Sequence, residues 1–283
     1  DAEWLLAGGD GSFAMGTALG VPRKKYHTHL NAAANPPVDR IATVHRVEEF
    51  IRQRGGSEVT LGGWARSAEP TRTELAAAAS HLAHFERTPT SVAWTYVLPG
   101  LRMVKRLRLA WRQPAAAITY EVHADRTMEL ALRPWLSIRD FHGVIEPGGT
   151  RRIAISRMRE AEILCAAEDR SASIACSHGI FVPNARLASD VRYDRERERG
   201  LPDIEQLESP GEFLVTIAPG DTRLTVAFAL APLRPDFAIA DDRAREAHLE
   251  AVASALVHRR PALASLRPLL DAADDFLVAR VVD

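Results

Sequence analysis

The chain has 283 residues, 46 % of them apolar and 26 % charged. That is enough to bury a real core, in an ordinary globular composition. A formal net charge of −1 supplies no global field and argues against nucleic acid or an anionic membrane as partner. Two cysteines, Cys165 and Cys176, are too few for a disulfide framework and read as buried thiols. No stretch approaches the length of a membrane-spanning helix and no signal peptide is visible, so the expected compartment is the cytoplasm.

In chain order, Glu3-Trp4-Leu5-Leu6 leads into a glycine-punctuated stretch over 8–17, then Arg23-Lys24-Lys25-Tyr26-His27. On a strand, His27 and His29 would share a face, as a metal-binding pair does. Zinc needs three or four ligands, so the expectation is two strand histidines satisfied by hydrogen bonds, and no metal. Trp64, flanked by Gly62-Gly63 and Arg66, is the best loop-borne platform on which a sugar ring could stack. Thr71 to Glu74 matches a capping box, and Leu75, Ala79 and Leu82 have helical spacing, which places a short helix within 71–85.

Period-two alternation dominates from about residue 90 to 230. Leu101, Met103, Leu107, Leu109 and Trp111 fall on one face, and Arg102, Arg106, Arg108 and Arg112 on the other. Residues 128–132, 213–217 and 224–230 repeat the pattern. Trp94 and Trp111, in alternating runs, are expected in the core. Proline-glycine turns separate the runs, and Pro219-Gly220-Asp221 between two of them looks like a hairpin. Strands with one apolar face and frequent turns predict a large antiparallel β-sandwich.

After residue 240 the period lengthens. Leu249, Val252 and Leu256 are spaced for a helix. Pro261 then suits a first helical position, ahead of a second stripe of Leu263, Leu266, Leu270, Ala273 and Leu277. Two such helices after a β domain read as a linker whose stripe a helical partner domain would cover. This divides the chain into a β domain over 1–240 and a helical segment over 241–283.

Two polar motifs stand out. Arg139-Asp140-Phe141-His142 combines a charge pair, a ring and an imidazole. Its plain reading is a salt bridge beside a buried ring; its functional one is sugar contact or domain docking. Arg195-Glu196-Arg197-Glu198-Arg199 reads either as a self-paired solvated surface or as a polar interface in which an arginine holds a carboxylate through two hydrogen bonds. Glycoside hydrolysis normally needs two carboxylates facing each other across the bond. The adjacent acids 48–49, 241–242 and 274–275 do not converge that way, so no catalytic residue is assigned.

Four blocks in order give the chain a family resemblance. They are residues 3–30; Leu132-Arg133-Pro134-Trp135 through His142; Tyr193 through Leu201, continuing to Ser209-Pro210-Gly211-Glu212-Phe213; and the terminal Ala272-Ala273-Asp274-Asp275-Phe276-Leu277-Val278. Together they resemble the N-terminal domain of bacterial and archaeal glycogen debranching enzymes of the amylo-α-1,6-glucosidase type. Gly8, Ser12, Phe13 and Thr28 depart from that family's asparagine, glycine, tyrosine and glycine.

The resemblance implies a super-sandwich followed by a catalytic toroid of paired helices in the same polypeptide, expected to begin about where this chain stops at Asp283. It also implies hydrolysis of α-1,6 branch points in glycogen or limit dextrin by an inverting mechanism without metal or cofactor. The catalytic pair would lie in the helical domain. Candidate contacts to an α-glucan or to that domain are Tyr26, His27, Trp64, Arg139, Asp140, His142, Arg195, Arg197 and Arg199. The alternatives are a free-standing carbohydrate-binding or docking module and an unrelated sandwich enzyme such as a sugar epimerase.

Overall fold

The computed structural model describes residues 2–35, 39–52, 58–63, 71–149 and 152–279. Trp64 lies outside the described residues. Among the described residues, sixteen strands form two antiparallel sheets of eight. The first runs in the order β1 (Glu3–Ala7), β2 (Phe13–Thr17), β3 (Leu30–Asn35), β4 (Asp39–Arg52), β10 (Met128–Asp140), β15 (Ile204–Ile217) and β14 (Ile180–Arg192). A further strand, β5 (Glu58–Leu61), also pairs with β4. The second runs β11 (Ala154–Arg159), β12 (Glu162–Ala167), β13 (Arg170–Cys176), β16 (Gly220–Leu230), β9 (Ala115–Ala124), β8 (Leu101–Leu109), β7 (Ser91–Leu98) and β6 (Leu82–Arg87).

The apolar files of the two sheets meet in one core. On β8, Leu101, Met103 and Leu107 are buried as the alternation requires. Lys105 shares that inward file. Its ammonium lies 2.7 Å from Glu49 on β4, and Tyr120 on β9 donates to the same carboxylate at 2.7 Å. A buried charge persists only when paired in this way.

Trp4, Trp94 and Trp135 are buried, each donating its indole N–H, to Thr17 O, Ala18 O and Glu48 respectively. Trp111 departs from expectation. The strand ends at Leu109, and Arg112 turns the chain with φ 62°, so Trp111 sits half-buried in a turn, 5.0 Å from the His248 ring.

Pro219-Gly220 is not a hairpin turn. β15 pairs with β10 and β14 in the first sheet, while β16 pairs with β13 and β9 in the second, so the turn carries the chain from one sheet to the other. Local turn chemistry reverses a chain without selecting its next neighbour.

The capping box forms at α1 (Arg72–Ala79): Glu74 N donates to Thr71 Oγ1 at 3.1 Å, and Thr71 N to Glu74 Oε2 at 2.7 Å. A single turn, α2 (Asp194–Arg197), interrupts the first sheet. At the end, α3 (Ala244–Arg259) buries Arg245, Leu249 and Ala253. A 3-10 segment, Pro261–Leu266, then precedes α4 (Arg267–Asp274). The expected second stripe is therefore divided: Leu263 and Leu270 are half-buried, while Leu266, Ala273 and Leu277 are exposed. Ala279 N donates to Gly9 O at 2.8 Å, returning the chain end to the β1–β2 turn.

Candidate functional site

The second and third resemblance blocks meet at one corner of the first sheet. Arg139, near the end of β10, carries the second. Its Nη2 lies 2.8 Å from Glu205 Oε2 and its Nε 2.5 Å from Oε1, with both side chains buried. Burial works against the Arg139 charge, but Glu205 outweighs it and holds the guanidinium above its usual value. Tyr193 also donates to Glu205, and Ile145 N reaches its Oε1 at 3.3 Å, so both carboxylate oxygens are satisfied. Burial, then Glu205, push the Tyr193 phenol well above its ordinary value.

The turn over 23–29 packs on this hub. Arg139 Nη2 also donates to Lys25 O at 2.9 Å. Arg23 grips Asp194 at the start of α2, its Nε 3.2 and 3.0 Å from the two oxygens, and Arg23 O accepts from Arg195 N at 3.1 Å.

Tyr26 and His142 close the corner on the solvent side. Tyr26 OH lies 3.1 Å from His142 Nδ1, and the Tyr26 ring is 5.7 Å from Phe141. Phe13 stands edge-on to Phe141 at 6.2 Å, and the Arg40 guanidinium lies over Phe141 at 5.5 Å. Asp140 is exposed and accepts from His142 N at 2.7 Å. Partial burial, then the nearby Glu196 charge, raise the Tyr26 phenol above its ordinary value. The result is a half-exposed cluster of rings bordered by charges.

The 195–199 run divides. Arg195 holds Glu198 at 2.8 and 2.7 Å, Arg197 and Arg199 are exposed, and Glu196 is buried with neither oxygen hydrogen-bonded among the described residues. Arg195 thus holds a carboxylate through two hydrogen bonds, but from one nitrogen and within the run, whereas the grips that use two guanidinium nitrogens come from Arg139 and Arg23, outside it.

His27 is not on a strand with His29. Both lie in the turn, and each works as a neutral acceptor: His27 Nδ1 takes Arg23 N–H at 3.1 Å, and His29 Nδ1 takes Val47 N–H at 3.2 Å. Sequence patterns miss Glu205, Arg23, Asp194 and Phe13, whose partners lie tens of residues away. The signal available for Glu205 was its place in the third block, a dozen residues after Tyr193.

Residues 2–224 match the family described as glycogen debranching enzyme N terminal. The chain belongs to this family. No curated protein matches it. Among solved structures, a bacterial glucoamylase complexed with acarbose is 6 % identical at TM-score 0.44, covering 81 % of this chain and 32 % of its own. A heparan sulfate lyase from Pedobacter heparinus is 9 % identical at TM-score 0.35, covering 52 % and 21 %. A putative aldose 1-epimerase from Escherichia coli K12 is 11 % identical at TM-score 0.39, covering 82 % and 100 %. The chain thus spans about a fifth of the lyase's length.

Proposed function

We propose that this chain is the non-catalytic N-terminal domain of a cytoplasmic glycogen debranching enzyme that hydrolyses α-1,6-glucosidic branch points of glycogen or limit dextrin. The acid and base would come from a helical domain of the same polypeptide. The observation that carries this reading, beside the family match, is what the buried carboxylates do. Glu49 is tied to Lys105 and Tyr120, Glu205 to Arg139, Glu212 to Arg52 and Arg133, and Asp194 to Arg23. Inverting and retaining glycosidases need two free carboxyl groups about 5–9.5 Å apart, one of them carrying a proton. Burial tends to raise Glu212, but Arg52 and Arg133 hold it below its usual value, so it is an anion and not a proton donor. Glu196 lacks a hydrogen bond among the described residues, but one carboxylate supplies at most half of the machinery.

The corner of Tyr26, His142, Asp140, Arg197 and Arg199 supports a docking face for the helical domain, because the half-buried Tyr26 ring and the four exposed polar side chains surround the buried Arg139–Glu205 pair. The test is incubation of the isolated chain with limit dextrin. No glucose should be released, whereas the full-length enzyme releases it. Turnover by the isolated chain that disappears on replacing one of its carboxylates would overturn the reading.

A further inference from the structure

A groove of about 950 Å³ runs along the outer face of the second sheet, remote in sequence from the corner above. Its floor is Arg106 and Arg108 on β8 with Glu121 on β9. One wall is the β6–β7 turn around Thr88 and Thr90, and the other is α3 with α4. Its size matches sites for small ligands, which run from about 300 to 1,000 Å³. Its lining does not match an apolar ligand.

The lining carries four arginines against five carboxylates, interspersed, so neither an anion nor a cation finds a field of one sign. It is also rich in donors and acceptors set side by side. Glu246 Oε1 receives Thr90 Oγ1 at 2.7 Å, Arg108 Nη1 at 2.6 Å and Arg243 Nη1 at 3.2 Å. The other oxygen of Glu246 and the Nε–H of the buried Arg108 have no partner among the described residues. Buried polar atoms ordinarily find partners. Both atoms are shielded from solvent beneath the groove, so the contacts open to a ligand come from its accessible side chains, the donors Arg106 and Arg243 and the acceptor Glu121. Adjacent hydroxyl groups of a sugar ring match such interspersed donors and acceptors, since each hydroxyl donates once and accepts twice. Arg106, which reaches Ser91 Oγ at 3.4 Å, and the exposed Glu121 extend the pattern along the floor.

We propose that this groove binds a short neutral oligosaccharide through its hydroxyls. That the chain is an α-glucan rests on the debranching reading above. The site would hold a branch of the polymer away from the point of hydrolysis, by hydrogen bonding and without a stacking ring.

Calorimetric titration of the protein with maltoheptaose tests the proposal. Arg106→Ala and Glu121→Gln alter half-buried or exposed floor residues and should leave the melting temperature unchanged while weakening binding at least tenfold. Arg159→Ala, which removes the same charge from β11, should bind as the unaltered protein does. Absence of binding, or equal binding by all four proteins, would overturn the groove. Glucose release by the isolated chain would overturn the debranching reading and leave a groove-dependent titration intact, so the two failures are distinguishable.

Discussion

Arg139 and Glu205 form a two-pronged ion pair buried between the end of β10 and β15, and Tyr193 completes it by donating to the same carboxylate. Removing the arginine leaves a buried anion whose remaining partners are a phenol and a backbone N–H. Breaking such a pair from one side costs roughly 3–5 kcal/mol. Arg139→Ala should therefore lower unfolding free energy by about that much in urea titration. Arg139→Lys should recover only part, since an ammonium cannot reproduce the fork. A loss under about 1 kcal/mol for the alanine variant would mean that solvent already reaches the carboxylate.

Acid should weaken the fold as pH falls below about 6.5, through its buried histidines. His27, His29 and His45 are buried around a small cavity between the sheets. Burial pushes His27 down to about 4, against the pull of Glu3 at 3.5 Å, and drives His29 and His45 well below their usual value. Each folded value is depressed, so the unfolded chain binds the proton first. The associated stability is complete above the unfolded pKa near 6.5 and falls as pH drops toward the folded value. For His27 alone the loss between pH 6.5 and 4 amounts to roughly 3 kcal/mol. Urea titrations from pH 7.5 to 4.5 should show stability falling with pH, with a shallower slope for His27→Asn. A flat profile would mean that these imidazoles are protonated without cost.

The thiols should be inert in the native state. Burial pushes Cys165 up to about 12 and Cys176 to about 11, and only a thiolate attacks a disulfide reagent. Labelling with an aromatic disulfide at pH 8 should be slow in buffer and rapid for both residues in denaturant. Fast labelling of either in buffer would show that the β12–β13 region opens readily.

The sequence made the sandwich legible where one face of a strand is greasy and the other wet, as on β8. It also revealed α1, because a capping box is a local device. It failed where the deciding contact is distant. Pro219-Gly220 signals a turn whichever sheet β16 joins. The alternation carried Trp111 one step past the end of its strand, into a turn set by Arg112. Lys105 breaks the apolar file of β8, and Glu49 and Val47 O on the other sheet account for it. At the candidate corner, the Arg139 and Tyr193 blocks were visible as unusual order. That they share Glu205 was not, because an ion pair across 66 residues leaves no periodicity.

The C-terminal helices provide the sharpest contrast between apolar residues that stabilise this chain and those that do not. Leu249 is buried on α3, in line with Arg245 and Ala253 at four-residue intervals. Arg245 ties that face to Ala7 O and Asp275. Beyond α4 the large apolar residues turn outward: Phe276 is 86 % and Leu277 68 % exposed. A large side chain already in water loses nothing on truncation, whereas a buried leucine loses transfer energy and leaves a cavity. Leu249→Ala should cost about 2–4 kcal/mol and speed hydrogen exchange over 244–259. Phe276→Ser and Leu277→Ser should change stability by less than about 0.5 kcal/mol in this chain. If, as proposed, the chain belongs to a debranching enzyme whose helical domain covers these two residues, the same serine variants should destabilise that enzyme by an amount measurable in thermal unfolding and reduce its activity. Serine variants that leave the full-length enzyme unaltered in both would show that the helical domain docks elsewhere, and would leave the Tyr26–His142 corner as the remaining contact face to test by His142→Ala.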